Sequence, residues 1–271
     1  MKPGINQWAF PDAMPAVEAI SWAKRLGFQA FELCVGEQGP TPITLTEAEA
    51  TAIRRHAEKE DIVLHSIASG MGWQVPMSSI DPAVRAKGIE SNRKALQIGG
   101  WIGAKALLVV PGVVDAATSY DEALENALAG VQALLPDAER AAVAIAVENV
   151  WNKLLLSPTE MRDFIDQWES PWVGAYVDVG NIIPYGYPEH WIRILAHRIR
   201  AVHMKDFRAA VATLGGFVML MEGDVNWPAV MEALGDVGFD GPLTAEYWTY
   251  SHSRETMLRH VITALNAIMT F

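Results

Sequence analysis

The sequence predicts an α/β fold, a single closed (β/α)8 barrel that occupies residues 1–271. Three observations lead to this prediction. Short apolar runs of strand length alternate with longer segments of helical periodicity, and the chain holds eight such pairs. No hairpin signal such as Asn-Gly separates two strand-like runs, so neighbouring strands are expected to be parallel. The hydrophobic fraction of 51% is sufficient to bury the core of one barrel domain.

The first half of the chain contains four of these strand and helix pairs. Residues 2–10 have the character of a first strand, and a helical stripe over 15–27 ends at Gly27, since glycine commonly ends helices. Asp81 and Pro82 form a favourable N-cap and first-turn pair for a long helix. The other strands of this half are predicted at 29–35, 62–70 and 104–112, and the other helices at 46–61, 81–103 and 120–140.

The second half repeats the alternation four more times. Ser157, Pro158 and Glu160 have the spacing of a capping box with proline at the first helical position, and Asn226 is a further N-cap candidate. These signals place helix starts directly after strand-like runs. The strands are predicted at 143–148, 174–178, 199–206 and 242–246, and the helices from 157 onward and at 187–197, 228–238 and 253–269.

Regular alternation of this kind occurs in a closed barrel and in an open, doubly wound sheet. The eight repeats favour the barrel. No Gly-x-Gly-x-x-Gly motif follows the first strand, so an open dinucleotide-binding sheet lacks its best sequence support. No low-complexity linker divides the chain, and one domain is therefore expected.

Composition narrows the classes of partner. The net charge of −11 disfavours nucleic acid and anionic membrane surfaces, because proteins that bind them normally carry a basic patch. Cys34 is the only cysteine, so no intrachain disulfide can form. No apolar run approaches the length of a membrane span or has the flanks of a signal peptide. We expect a soluble protein of the cytoplasm.

Four strand-like runs each end on a side chain that can bind a cation, namely Glu148, Asp178, His203 and Glu246. In a parallel barrel the carboxyl ends of all strands face one mouth, so these side chains are expected to converge. Alternation within the fifth strand places Glu148 on the same face as two alanines, and this small-residue face suits the crowded barrel axis.

Three carboxylates and one imidazole are donors that suit Mn²⁺, Mg²⁺ or Co²⁺, and Zn²⁺ also accepts them. The alternative is that the four residues form buried ion pairs that only hold the barrel together. Lys205 is the only cation nearby in the sequence, so three carboxylates would retain negative charge. We therefore predict one divalent metal ion at the mouth.

Five motifs carry a resemblance to a known family over essentially the whole chain. They are VENVWNKLLLSPTE (147–160), YVDVGN (176–181), VHMKDF (202–207), EGDVNW (222–227) and LTAEYW (243–248). With these motifs the sequence resembles the xylose isomerase-like TIM barrels, in particular the branch of sugar-phosphate isomerases/epimerases and ketose 3-epimerases.

The resemblance implies a metal-dependent epimerase or isomerase of a sugar or a sugar phosphate. The metal ligands would be Glu148, Asp178, His203 and Glu246, and the metal would chelate two adjacent oxygens of a ketose. One of Glu148 and Glu246 would take the C3 proton, the metal would stabilise a cis-enediolate, and the other glutamate would return a proton to the opposite face. The partner would be a small carbohydrate, and a homodimer or homotetramer is compatible with the family.

Four further residues are candidates for substrate binding. His65 lies in the third predicted strand, which we expect it to end, and Lys205 lies near the end of the seventh. Asn181 stands where related epimerases tend to carry a substrate-contacting histidine, and Arg208 lies near the place of a substrate-binding arginine in the family. Each also has a structural alternative: a core histidine, a turn asparagine, an ion pair and a solvated loop arginine.

Other functions of the same superfamily, or of a barrel that only binds sugar, share part of this residue pattern. A dehydratase or a hydroxypyruvate-type isomerase of the same superfamily would share the metal chelation, and a non-catalytic sugar-binding barrel would keep the ligands without turnover. DNA-repair endonucleases with three zinc ions also share the superfamily, but they use histidines where this chain has Asn181 and Asn226. Those replacements and the acidic net charge argue against DNA cleavage.

Overall fold

The computed structural model describes residues 1–247 and 252–271, and in them eight parallel strands close into a barrel in the order β1-β10-β7-β6-β5-β4-β3-β2. A separate antiparallel pair joins β8 to β9. The prediction of a (β/α)8 barrel is confirmed. The strands are β1 (Lys2–Asn6), β2 (Ala30–Val35), β3 (Ser66–Ser69), β4 (Ala106–Val109), β5 (Ala144–Glu148), β6 (Val173–Asp178), β7 (Ile199–Met204), β8 (Asp206–Phe207), β9 (Phe217–Val218) and β10 (Pro242–Ala245).

The helices surround the barrel, and most of them begin at side-chain caps, with α1 (Ala16–Leu26) and α7 (Pro188–Leu195) as exceptions. Asp81 accepts a hydrogen bond from Ala83 N, as its Asp-Pro sequence predicted. Ser157 accepts one from Glu160 N, but the Glu160 carboxylate accepts from Leu156 N, so the predicted capping box is only half formed. The helices are α1 (Ala16–Leu26), α2 (Glu47–Lys59), α3 (Pro82–Ile102), α4 (Tyr120–Ala141), α5 (Pro158–Asp166), α6 (Val179–Ile182), α7 (Pro188–Leu195), α8 (Trp227–Asp236) and α9 (Arg254–Ile268).

Two hydrophobic cores lie on the two sides of the strands. The larger one fills the layer between the barrel and its helices. The smaller one lies on the barrel axis and consists mainly of small and branched residues, with Tyr176 as the largest fully buried side chain. Small residues are expected there because side chains from all eight strands crowd the axis. Among the described residues, no helix combines the length and the hydrophobicity needed to cross a membrane.

Several strands end earlier than the sequence predicted, and the first and the seventh show the local cause. The first strand ends at Asn6, whose side chain accepts a hydrogen bond from Trp8 N and so starts a short 3-10 turn. The seventh barrel strand ends at Met204. The chain then turns away because the Asp206 carboxylate accepts hydrogen bonds from Gly223 N and other backbone groups of the returning loop. Such side-chain bonds compete with ladder pairing and end it.

Candidate metal centre

The structure brings the four predicted ligands together at the mouth of the barrel. Glu148 ends β5, Asp178 ends β6, His203 lies in β7 and Glu246 directly follows β10. One ligand atom from each lies within 4.8 Å of the others, and all four residues are buried. The register pairs Asp178 with His203 across neighbouring strands, so the backbone ladder itself sets their separation.

The His203 ring is oriented with one nitrogen toward each of two acidic environments. Nδ1 lies 2.9 Å from Glu246 Oε2 and 3.3 Å from Glu148 Oε1. Nε2 lies 2.8 Å from Glu32 Oε1 on the other side of the ring. Burial alone would lower the pKa of His203, but the charges of Glu32 and Glu246 raise this pKa well above its ordinary value.

Glu32, in β2, supports the cluster through a contact with His203 that the sequence did not predict. It is fully buried, and its carboxylate accepts hydrogen bonds from Ser66 Oγ at 2.6 Å, Tyr176 Oη at 2.5 Å and Asn6 Nδ2 at 3.2 Å. Burial would raise its pKa, but the contact with His203 and these hydrogen bonds lower it. Glu32 therefore remains ionised inside the barrel, where it orients the imidazole.

Lys205 is part of the cluster and carries its cationic charge. Its Nζ lies 2.9 Å from Asp178 Oδ2 and 2.6 Å from Glu246 Oε2. Burial would lower the pKa of the ammonium, but the neighbouring carboxylates raise it above its ordinary value. Lys205 thus lies between two predicted metal ligands and also lines the cavity above them.

The pKa values of Glu148 and Glu246, the two glutamates of the cluster, are shifted in opposite directions. Burial raises the pKa of Glu148 to about 7, and the nearby charge of Glu246 adds to the effect, while a hydrogen bond with His203 opposes it. Burial would also raise the pKa of Glu246, but the charges of Lys205 and His203 lower it to about 2. The difference arises because Lys205 contacts Glu246 directly.

The donor set fits a divalent cation. Three carboxylates face one ammonium, so the ligand cluster retains negative charge that Lys205 alone does not neutralise. Asp178 Oδ1 accepts a hydrogen bond from Asn181 N, whereas the buried Oδ2, apart from its ion pair with Lys205, accepts none from the described residues. An oxygen in that position is suited to metal coordination.

A pair of asparagines braces the ends of β5 and β6. Asn149 donates from Nδ2 to Asp178 O at 2.8 Å and accepts at Oδ1 from Asp178 N at 2.8 Å. Asn181 donates from Nδ2 to Asn149 O at 3.0 Å, and Trp151 Nε1 donates to Asn181 O at 2.9 Å. Asn181 lines the cavity, as a substrate-binding residue would, but its amide nitrogen is engaged in this brace.

His65 and Arg208 are not brought to the cluster. His65 precedes β3 at the opposite end of the barrel, and its Nε2 lies 3.0 Å from Arg200 O. The prediction that His65 ends the third strand is wrong, because the ladder with β2 pairs Ser69, not His65, with the end residue Val35. Arg208 is exposed and donates to Glu222 O at 2.9 Å.

A cavity of about 410 Å³ opens above the cluster. Glu148, Lys205 and Glu246 form its floor. Its walls include the rings of Trp8, Trp73, Trp151 and Phe217. The LTAEYW motif reaches Trp248, which lies outside the described residues.

A family model for the xylose isomerase-like TIM barrel matches residues 20–268. The chain belongs to this family. Among its curated relatives, an L-ribulose-5-phosphate 3-epimerase from Escherichia coli (strain K12 / DH10B) is 26% identical over 249 residues, which cover 91% of this chain and 87% of the relative. The relative is an epimerase, and this supports the prediction of an isomerase-class enzyme.

Solved structures share the fold at lower sequence identity. D-psicose 3-epimerase from Clostridium cellulolyticum H10, solved with D-tagatose, aligns with a TM-score of 0.83 and 17% identity over 100% of this chain and 99% of that chain. The IOLI protein, solved with a zinc atom, aligns with a TM-score of 0.82 and 14% identity over 100% of this chain and 98% of that chain. Both show the same barrel architecture.

Proposed function

We propose that the protein is a divalent-metal-dependent epimerase that inverts the C3 centre of a ketose through a cis-enediolate. The buried cluster of Glu148, Asp178, His203 and Glu246 at the barrel mouth carries this proposal. The epimerase relatives named above support the reaction class. A sugar C–H next to a carbonyl is a weak acid, so its removal requires both a placed base and stabilisation of the oxyanion.

The four side chains of the cluster would hold the metal. When bound, a divalent ion supplies Lewis-acid stabilisation for the negative charge that develops on the sugar oxygens. Mn²⁺ fits the carboxylate-rich donors best, and Mg²⁺, Co²⁺ and Zn²⁺ are compatible with them. The structure with a zinc atom comes from a protein of the same fold.

Glu148 and Glu246 would be the acid and base. They follow β5 and β10, and the barrel order places β6 and β7 between those two strands. The two carboxylates therefore reach the cavity floor from separate sides, with Asp178 and His203 between them. Two bases on opposite faces of one carbon invert that centre, whereas one base on one face would transfer the carbonyl.

Lys205 would balance the charge of the cluster during the reaction. Its ammonium contacts the Glu246 carboxylate at 2.6 Å, so it holds this carboxylate in place and keeps it ionised at neutral pH. In that state Glu246 can accept a proton. Glu148 lacks such a close cationic contact among the described groups, apart from its bond with His203.

Hydrogen exchange with solvent tests the proposal. Purified protein with Mn²⁺ is incubated in deuterium oxide with a panel of ketopentoses and ketohexoses, and deuterium is located by NMR. Exchange at C3 together with the C3 epimer supports epimerisation. Exchange at C1 or C2 would indicate an aldose–ketose isomerase instead, and loss of water would indicate a dehydratase. Tight binding with no exchange at any carbon would indicate a sugar-binding barrel.

A further inference from the structure

The cavity above the cluster has mainly apolar walls and a polar, charged floor. Trp8, Trp73, Trp151 and Phe217 present aromatic rings to it, and Leu108, Val110 and Val150 add apolar surface. Trp73 is 49% exposed, although large apolar side chains are normally covered. An apolar wall that remains open to solvent at a cavity entrance is typical of a surface that a ligand covers.

The innermost part of this wall is fixed in position. The Trp151 and Phe217 rings stack with centroids 5.3 Å apart and an interplanar angle of 29°. Phe207 packs edge-on against Trp151 at 5.3 Å, and the Trp151 indole donates its hydrogen bond to Asn181 O. Phe217 also lies beside the floor, with its ring centroid 5.4 Å from Lys205 Nζ. The rings thus form a pre-organised surface beside the reacting centre.

The basic side chains of the mouth are held by other groups of the chain or lie outside the cavity. The segments that lead from the carboxyl ends of the barrel strands to the next helices contain Lys153, Lys205 and Arg208 as their lysines and arginines. Lys205 is held by Asp178 and Glu246, and Arg208 is exposed and donates to a backbone carbonyl. Lys153 is exposed and does not line the cavity.

Most helix amino termini at the mouth are also engaged by side chains of the chain itself, whereas α1 and α7 begin without a side-chain cap. Side chains accept the first-turn hydrogen bonds of α2, α3, α4, α5, α8 and α9. Free N–H groups at a helix start are a common site for a phosphate group, but these termini already bind an oxygen of their own cap. Acidic residues in the first turns of α2, α4, α5 and α9 add to the negative potential.

We propose that the substrate is an uncharged ketose, not its terminal phosphate ester, and that the aromatic walls bind the C–H faces of its chain. This inference rests on the proposed function. The relative from Escherichia coli acts on a 5-phosphate, whereas the D-psicose epimerase structure holds a free sugar, so kinship alone does not decide between them. The decisive features are the aromatic walls and the partners that already hold the basic side chains of the mouth.

The groups that line the cavity also favour a neutral sugar over a phosphate ester. A phosphate carries nearly two negative charges and is normally bound by arginine, lysine or free backbone N–H groups. Among the described residues that line this cavity, Lys205 is the lysine or arginine, and Asp178 and Glu246 already hold it. A neutral sugar places its hydroxyl groups toward the polar floor and its C–H groups toward the rings, so both surfaces are matched.

The test compares each ketose with its own terminal phosphate ester. Mn²⁺-loaded protein is assayed for C3 exchange and, separately, for binding by isothermal titration calorimetry. The free ketose is expected to have a kcat/KM on the order of 100-fold higher than the ester, because the described lining provides no uncommitted cation to offset the desolvation of the phosphate. Inorganic phosphate is expected not to compete. A preference for the ester in kinetics or in calorimetry would overturn the inference.

The two proposals can fail separately. If only the ester exchanges at C3, the epimerase function stands and the uncharged substrate is wrong. If neither compound exchanges, the epimerase function fails, and calorimetry still decides which form the cavity binds. The preference is expected to be unchanged in Lys153→Gln and Arg208→Gln. A selective loss of ester binding in either variant would show that the mouth holds a phosphate after all.

Variants of the wall provide a second measurement. Trp73→Ala is expected to raise KM for the ketose roughly 10-fold with little change in kcat, since it removes apolar contact far from the reacting carbon. Tyr187→Ala is the matched control, because Tyr187 is an exposed aromatic residue of a mouth segment that does not line this cavity. Equal KM values for Trp73→Ala and the wild-type protein would contradict the proposed role of the walls.

Discussion

Glu32 and His203 form a buried pair on the barrel axis, with Glu32 Oε1 2.8 Å from His203 Nε2. This contact leaves Nδ1 as the ring nitrogen that faces Glu148, Asp178 and Glu246. A carboxylate that accepts from the far nitrogen of a metal-binding histidine fixes the ring and makes it a stronger ligand. The cluster is therefore positioned by Glu32, deeper in the barrel, as well as by the strands that carry its ligands.

The first prediction concerns Glu32. Glu32→Gln is expected to weaken Mn²⁺ binding about 10- to 100-fold, because the amide keeps the hydrogen-bonding shape but removes the charge that polarises the imidazole. Titration of metal-free protein with Mn²⁺ by calorimetry measures the effect. Glu37→Gln removes a carboxylate from the exposed rim and serves as the control. An unchanged dissociation constant in a folded Glu32→Gln protein would rule out this positioning role.

Removal of the metal is expected to destabilise the protein. An ion that binds only the folded state stabilises it by about 2.7 kcal/mol when present at 100 times its dissociation constant. Chelation should therefore lower the melting temperature by roughly 5 °C, and Mn²⁺ should restore it. Asp178→Asn disrupts the site, so its melting temperature should be insensitive to the chelator. If the wild-type protein were equally insensitive, the cluster would not be a metal site.

Loss of either flanking glutamate should separate exchange from inversion. Glu246→Gln and Glu148→Gln are each expected to lower turnover by about 10²–10⁴ while the fold survives. Each variant retains one base, so it should exchange the C3 hydrogen of one epimer more readily than that of the other. NMR in deuterium oxide and a metal analysis of each variant measure this. Glu222→Gln, on an exposed mouth segment, is the control. Full turnover in either variant would exclude that glutamate as acid or base.

The raised pKa of Tyr120 predicts how the free energy of unfolding changes at alkaline pH. Burial and a hydrogen bond to Glu160 raise the pKa of Tyr120 to about 12 from 10.0. The protonated phenol therefore favours the folded state, and its contribution is complete below pH 10 and is lost as pH rises through about 12. Tyr120→Phe should lose about 1 kcal/mol at neutral pH and show a flatter alkaline decline.

Urea unfolding at a series of alkaline pH values measures this difference. Tyr187→Phe removes an exposed phenol and should follow the wild-type profile. Parallel declines for Tyr120→Phe and the wild-type protein would show that the bond between Tyr120 and Glu160 does not contribute to folding stability.

Much of the site was readable from strand patterns. The runs that end on Glu148 and Asp178 gave both their strands and the mouth they share, because parallel strands have one common carboxyl end. The same alternation argument places Glu32 on one face with Ala30 and Cys34 in an otherwise apolar strand, although it does not reveal the contact with His203. A lone charge on the axis face is therefore a signal for a residue that supports the metal centre.

Other features depended on contacts that the sequence does not reveal. His65 and Ser69 lie in one apolar run, and only pairing with β2 decides which of them is at the mouth. Lys205 was recognised as a nearby cation, but its place between Asp178 and Glu246 depends on how three strands align. The antiparallel pair β8 and β9 likewise forms through a returning loop, so no local sequence periodicity predicts it.

The asparagine brace has a consequence for the chemistry that this position can tolerate. The Asn149 side-chain amide binds both backbone groups of one residue, donating to Asp178 O and accepting from Asp178 N. Aspartate has almost the same shape but only oxygens, so deamidation would set a charged oxygen against a carbonyl. Spontaneous deamidation of Asn149 would thus weaken the contact between the ends of β5 and β6, beside the cluster.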